Sequence, residues 1–162
     1  QMEEVCPEGL SPEETVCRIS RQKSGAVSAR EDDIVITADT MVFLDGKRLG
    51  KPRDEADALR MLTALQGRHH TVCTGVTVRQ GQRMLTRAQS TQVWFRSAST
   101  EELKAYIRSG EPMDKAGAYG IQGGAALFCE RMEGDYYNVM GLPVCRLGET
   151  LKALVPGWEE DA

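Results

Sequence analysis

Four helix-start signals punctuate this chain, and strand-like runs lie between them. Ser11-Pro12-Glu13-Glu14 supplies a capping serine, a proline suited to the first helical position and a glutamate that closes a capping box. Asp54 opens a second helix, in which Ala58, Met61, Leu62 and Leu65 repeat at helical spacing before Gly67. Ser99 and Glu102 form another capping box ahead of Leu103, Tyr106 and Ile107. Pro143 begins a last helix carried by Leu147, Leu151 and Leu154. Helices with one apolar stripe, alternating with strands, must bury those stripes against a sheet.

The strands follow from the remaining pattern. Ile34-Val35-Ile36 reads as a buried strand that delivers Asp39 at its C-terminal end. Met41 to Leu44 and Lys47 to Leu49 read as a hairpin, because Asp45-Gly46 accepts the positive φ of a type I′ turn. Thr71 to Val78 alternates, with Val72, Thr74, Val76 and Val78 on one face. Met84 to Phe95 follows the Gln80-Gly81-Gln82 turn and carries one wet face. Ala125 to Met132 reads as a further strand, and Gly134-Asp135 as a turn followed by packed aromatics. Hairpins beside helical connections predict an α/β fold: a single domain over 1–162 with a mixed, twisted central sheet flanked by helices. Residues 156–162 are expected to form a frayed acidic tail.

Composition narrows the function classes. Hydrophobic residues make up 41% and charged residues 27%, the balance of a folded soluble chain. The net charge of -4 and the lack of a basic stripe argue against a nucleic-acid surface. No apolar run approaches the ~20 residues that span a bilayer. A free nucleotide needs only a local cationic pocket, so it stays in play. Cys6, Cys17, Cys73, Cys129 and Cys145 are odd in number, widely spaced and without a CxxC pair. They read as reduced thiols in a cytoplasmic protein rather than a disulfide framework or a zinc site.

Three loops hold polar groups that a fold alone does not need. In Ala38-Asp39-Thr40, a carboxylate at a strand end faces the crevice where α/β sheets bind ligands. It can bind Mg²⁺ or orient a water; a turn aspartate bonding its own backbone is the alternative. In Gly50-Lys51-Pro52-Arg53, Lys51 offers a point charge suited to phosphate, or is a solvated loop lysine. The third loop, residues 109–124, has five glycines in sixteen residues, which lets backbone approach a ligand. It carries Asp114 and Lys115, adjacent and opposite in charge, and Gln122. A glutamine amide both donates and accepts, so Gln122 can read the O4 and N3–H edge of uracil or thymine, or brace its own loop. His69 and His70 point to opposite faces of a strand and cannot share a metal in the usual way. Of Trp94 and Phe95, one is expected in the core.

The runs ITADT, GKP, ALQGRHHTVCTGV, YIRSGEPMDKAGAYGIQGGAA and GDYYNVMGLP, in that order, resemble the Maf family of nucleotide pyrophosphatases from about Glu4 to Leu151. The resemblance implies an α/β enzyme similar in shape to inosine triphosphate pyrophosphatases. It implies cleavage of nucleoside triphosphates to monophosphate and pyrophosphate with a divalent cation, Mg²⁺ or Mn²⁺. Thr40 and Gln122 resemble the branch that hydrolyses dTTP and UTP. A nucleotide-binding regulator of septum formation with little catalysis is the alternative. Carried over by position, Asp39, Lys51 and Lys23 match catalytic residues, with Asp39 as water-orienting base or metal ligand. Glu4 and Asp39 match the metal site, and Thr40, Lys115 and Gln122 the substrate site. Asp39, Lys51 and Gln122 are therefore expected to converge on one cleft. A homodimer, a cytoplasmic location and no nucleic-acid or membrane partner are implied as well. The family opens with a strand and a Ser-x-Ser-Pro-Arg-Arg loop that grips the triphosphate. No Ser-Pro-Arg-Arg occurs here, so that segment is expected to be absent from this chain.

Overall fold

Reciprocal hydrogen bonds at Ser11 set the start of the first helix. Ser11 Oγ accepts from the Glu14 N–H at 3.2 Å, and Glu14 Oε2 accepts from the Ser11 N–H at 2.8 Å. In the computed structural model, which describes residues 9–160, helix α1 then runs Pro12–Ala26. Asp54 caps α2 (Glu55–Leu65), and the Ser99–Glu102 box caps α3 (Thr100–Ile107). Helix α4 (Tyr136–Met140) is capped by Asp135, and α5 (Val144–Leu154) follows Pro143. No helix among the described residues is long and apolar enough to cross a membrane.

Five strands, β1 (Ile34–Leu44), β2 (Lys47–Leu49), β3 (His69–Gln80), β4 (Arg83–Phe95) and β5 (Cys129–Glu133), form one sheet in the order β2-β1-β3-β4-β5. The α/β fold with a helix-flanked sheet is as expected, but the described sheet is not mixed: all four pairings are antiparallel. Helix α2 does connect two strands that point the same way, β2 and β3. The chain places β1 between them, so they never pair. The Asp45-Gly46 hairpin forms as expected, with φ of 50° and 74°.

Strand alternation sends β1 residues to two layers. Val42 and Leu44 pack with Leu62 and Leu65 of α2 and Leu103 and Ile107 of α3. Met41 and Phe43, on the opposite face, pack with Val16 and Ile19 of α1 and with Cys73. Gly75 makes the second layer possible. A Cβ there would sit 2.4 Å from the Val16 carbonyl oxygen, so only glycine lets α1 approach this closely.

Several expectations need correcting. Ile34 and Ile36 are 41% and 44% exposed, and only Val35 between them is buried. Asp39 lies in the middle of β1 rather than at its end, because pairing with β3 continues from Ile34 to Phe43. The run 125–132 is not one strand. Its glycine- and alanine-rich start, Gly124–Leu127, winds into a 3-10 turn, and β5 begins only at Cys129. Tyr136 and Tyr137 are exposed rather than packed, because α4 points its buried side, Asn138, at the sheet. Residues Trp158–Glu160 form a 3-10 turn, and the last two residues of the expected acidic tail lie outside the described residues. Cys17, Cys73, Cys129 and Cys145 are free thiols, and Cys6 lies outside the described residues.

Candidate active site

The glycine-rich segment folds as three 3-10 turns, Glu111–Asp114, Ala116–Ala118 and Gly124–Leu127. It curls over the Val42 face of the sheet. The Gly117 N–H donates to the Gly50 carbonyl at 3.0 Å, which ties this segment to the loop carrying Lys51. Between the segment, the sheet and the end of α4 lies a cleft of about 480 Å³ that takes in Thr40, Lys51, Lys115 and Gln122. That volume falls within the usual range for small-molecule sites, roughly 300–1,000 Å³.

The far wall is held by a chain of buried polar groups. Thr40 Oγ1 lies 2.8 Å from Thr74 Oγ1 and 3.2 Å from the Gly141 carbonyl. The Asn138 amide donates to the Val72 carbonyl at 3.1 Å and to Thr91 Oγ1 at 2.9 Å. These bonds pin α4, so that Met140 and Gly141 border the cleft. The floor includes Tyr119, whose hydroxyl lies 2.7 Å from His70 Nε2. Burial, and secondarily the neighbouring His69, pushes the His70 pKa down to about 3, so the ring is neutral at physiological pH. His69 is exposed and stacks near Trp94, and Phe95 is the core member of its pair.

Lys51 and Gln122 make no hydrogen bond or ion pair with any described residue, and both are exposed at the cleft. The Gln122 amide therefore does not brace its own loop. Lys115 Nζ donates to Asp114 Oδ1 at 2.7 Å. That bond, and then the lysine's charge, hold the Asp114 carboxyl below its ordinary value.

Asp39 does not join this lining, which corrects the expected three-residue convergence. It neighbours Thr40 on β1, so its side chain leaves the opposite face, towards α1. There Lys23 Nζ donates to Asp39 Oδ1, forming an ion pair with Asp39 only 8% exposed. Ser20 and Thr37 exchange side-chain-to-backbone bonds of 3.0 and 2.8 Å just beside it. Strand β2 pairs only with Val42 to Leu44, so among the described residues β1 has no partner on that side from Ile34 to Met41. Lys51 comes two residues after the end of β2.

Among the described residues no three His, Cys, Asp or Glu side chains cluster to hold a metal. Glu4 lies outside the described residues. A buried carboxylate such as Asp39 still fits a hard divalent cation. Mg²⁺ is commonly held by one or two carboxylates, with phosphate oxygens and water completing the shell. Reading the sequence missed Glu111, Tyr119 and Asn138. Asn138 is fully buried and Tyr119 nearly so, and in sequence neither differs from a loop or packing residue.

Residues 1–154 match the model of the Maf-like protein family. The chain is 50% identical over 146 residues to a dTTP/UTP pyrophosphatase of Carboxydothermus hydrogenoformans, covering 88% of this chain and 78% of that protein. It is 48% identical over 151 residues to a dTTP/UTP pyrophosphatase of Bacillus velezensis, with 93% and 80% covered. A dTTP/UTP pyrophosphatase of Photorhabdus laumondii is 45% identical over 162 residues, with 97% and 83% covered. With its family model spanning nearly every residue and relatives this similar along most of its length, the chain belongs to the Maf-like protein family.

Proposed function

We propose that this protein hydrolyses dTTP and UTP to the monophosphate and pyrophosphate. The observation that carries the reading is an uncommitted amide, Gln122, in the same cleft as two lysines, Lys51 and Lys115. The names of its relatives, dTTP/UTP pyrophosphatase, support it. Gln122 donates N–H to a pyrimidine O4 and accepts N3–H through its carbonyl. Cytosine reverses both groups. Once a bound base covers the amide, a polar group left unpaired there costs ~1–3 kcal/mol, so CTP is disfavoured while the 5-methyl of thymine matters little.

The phosphates lie towards the open edge of β1. Lys51 and Lys115 provide fixed positive charge on the cleft side, and the Thr40 hydroxyl adds a short polar contact. Across the edge, Lys23 holds the Asp39 carboxylate in one orientation. Asp39 positions the attacking water and takes its proton as the water oxygen bonds to the α-phosphorus and the pyrophosphate leaves. A divalent cation, Mg²⁺ or Mn²⁺, held by Asp39 and phosphate oxygens, would neutralise charge on the departing pyrophosphate. The lysine charges do so from the protein side.

The test is pyrophosphate release from dTTP, UTP, CTP, ATP and GTP by the full-length protein with Mg²⁺ or Mn²⁺. Release is expected from dTTP and UTP ahead of CTP and the purines. Tight binding of dTTP without pyrophosphate release would instead favour the nucleotide-binding regulator of septum formation. A cytoplasmic location and a homodimer belong to the same proposal. Light scattering of the purified protein checks the second.

A further inference from the structure

The geometry points to Glu111, acting with Tyr106, as the positioning residue that sets base selection by clamping the Gly120–Gly124 turn on both sides of Gln122. The inference rests on the proposed reading of the cleft as a pyrimidine nucleotide site. Three hydrogen bonds carry it. The Gly120 N–H donates to Tyr106 Oη at 3.1 Å, the Tyr106 hydroxyl donates to Glu111 Oε1 at 2.7 Å, and the Gly124 N–H donates to Glu111 Oε2 at 3.0 Å. One carboxylate thus holds both ends of a five-residue turn whose middle residue is Gln122.

The clamp is tight as well as complete. A Cβ at Gly123 would lie 2.3 Å from the Glu111 carboxylate oxygens, and one at Gly120 would lie 2.7 Å from the Lys115 side chain. The Glu111 carboxylate and the Lys115 side chain thus pack directly behind the turn at Gly123 and Gly120. Tyr106 can serve only as a protonated donor. Burial, and then the Glu111 carboxylate that accepts from it, drive its pKa well above the ordinary phenol value.

An amide discriminates uracil from cytosine more sharply when the backbone that carries it cannot shift to follow the reversed donor and acceptor. Gln122 has no hydrogen-bond partner of its own among the described residues, so its position is inherited from the turn. Glu111→Ala removes both acceptor oxygens, so the Gly124 N–H loses its partner and the Tyr106 hydroxyl its acceptor. Tyr106→Phe keeps the ring in the core and removes the hydroxyl that links Gly120 to Glu111.

The experiment is a double-mutant cycle read as the UTP-to-CTP ratio of kcat/KM, with UMP and CMP dissociation constants measured in parallel and thermal melts confirming the fold. Glu111→Ala and Tyr106→Phe are each expected to lower the ratio about tenfold. In the Gln122→Ala background neither is expected to change it further, because the clamp acts only through that amide. Equal losses in both backgrounds, an unchanged ratio in the single variants, or a wild-type protein that does not discriminate would each overturn the proposal. A protein that releases no pyrophosphate defeats the proposed hydrolysis instead, and the cycle is then decided on the UMP and CMP constants.

Discussion

On the α1 side of β1, Asp39 is gripped by Lys23, and the hydroxyls of Ser20, Thr37 and Thr77 are bonded around it. One residue further along the strand, Thr40 opens on a cleft where Lys51 and Gln122 make no bond to any described residue. The first side fixes its polar groups in advance, as a group that must meet a reacting atom requires. The second leaves Lys51 and Gln122 free and fixes the backbone around Gln122, as a surface that reads a ligand requires. The division can be broken from either side.

The largest effect is expected at Asp39. Asp39→Asn keeps the shape but removes the charge that Lys23 orients, so kcat with UTP should fall about 10³-fold. The melting temperature should stay close to wild type, because Lys23 is half-exposed and can return to water. Near-normal kcat in the folded variant would move the chemistry wholly to the cleft side.

Next in size is the floor of the cleft, which should prove as rigid as the α1 side. His70 is neutral in the fold, with a pKa of about 3 against an ordinary value of 6.5. The unfolded chain binds a proton between those values that the folded chain refuses. This stability is fully present above about pH 6.5 and is lost as pH falls, at about 1.4 kcal/mol per unit. The depressed carboxylates, such as Glu102 beside Arg96, act only at lower pH, so the interval from 6.5 to 4.5 belongs to the histidine. A melting temperature that declines across that interval in wild type, and stays flat in His70→Gln, is the expected result. Parallel curves for both would mean that another group titrates there.

Gly75→Ala comes third. Its Cβ would meet the Val16 carbonyl at 2.4 Å, and backbone cannot swing aside as a side chain can. Overpacking of this kind costs about 1–3 kcal/mol, so the melting temperature should drop by several degrees. Because α1 also carries Lys23, kcat should fall with it, while the UTP-to-CTP ratio, set on the other face, should not move. A changed ratio would show that the two faces are coupled.

Much of this architecture was legible in the sequence wherever a local signal forces a local structure. Ser11–Glu14, Ser99–Glu102 and Asp45-Gly46 form the caps and the turn that their residue types demand. The non-local facts were not legible. Nothing near Ile34 and Ile36 indicates that they stay exposed among the described residues, and nothing near Asp39 indicates that β3 carries the pairing past it. Helical connections suggested parallel neighbours, yet only three-dimensional placement decides that β1 separates β2 from β3. In the cleft, Lys51, Lys115 and Gln122 were found as unusual residues in loops. Glu111 was missed because a glutamate before a proline has no local mark, and its partners lie five and thirteen residues away.

The smallest effect is expected at Asp114, and it tests whether the cleft's cations are held back until substrate comes. Asp114 is 78% exposed, and its pair with Lys115 lies at the rim, where such pairs are worth about 0–1 kcal/mol. Fold and kcat should therefore be insensitive to its loss. Its remaining influence is on Lys115, whose charge it partly cancels beside a site for a polyanion. Asp114→Asn should lower KM for UTP by about two- to fivefold at low salt, since Lys115 then meets the phosphates without a competitor. Exposed charges are screened over about 10 Å at 0.1 M ionic strength, so the gain should shrink as salt is added. The UTP-to-CTP ratio should hold, because neither residue touches the base edge. A fall of kcat by a hundredfold would instead give Asp114 a part in the chemistry, and the cleft side would then contain a fixed reacting group as the α1 side does.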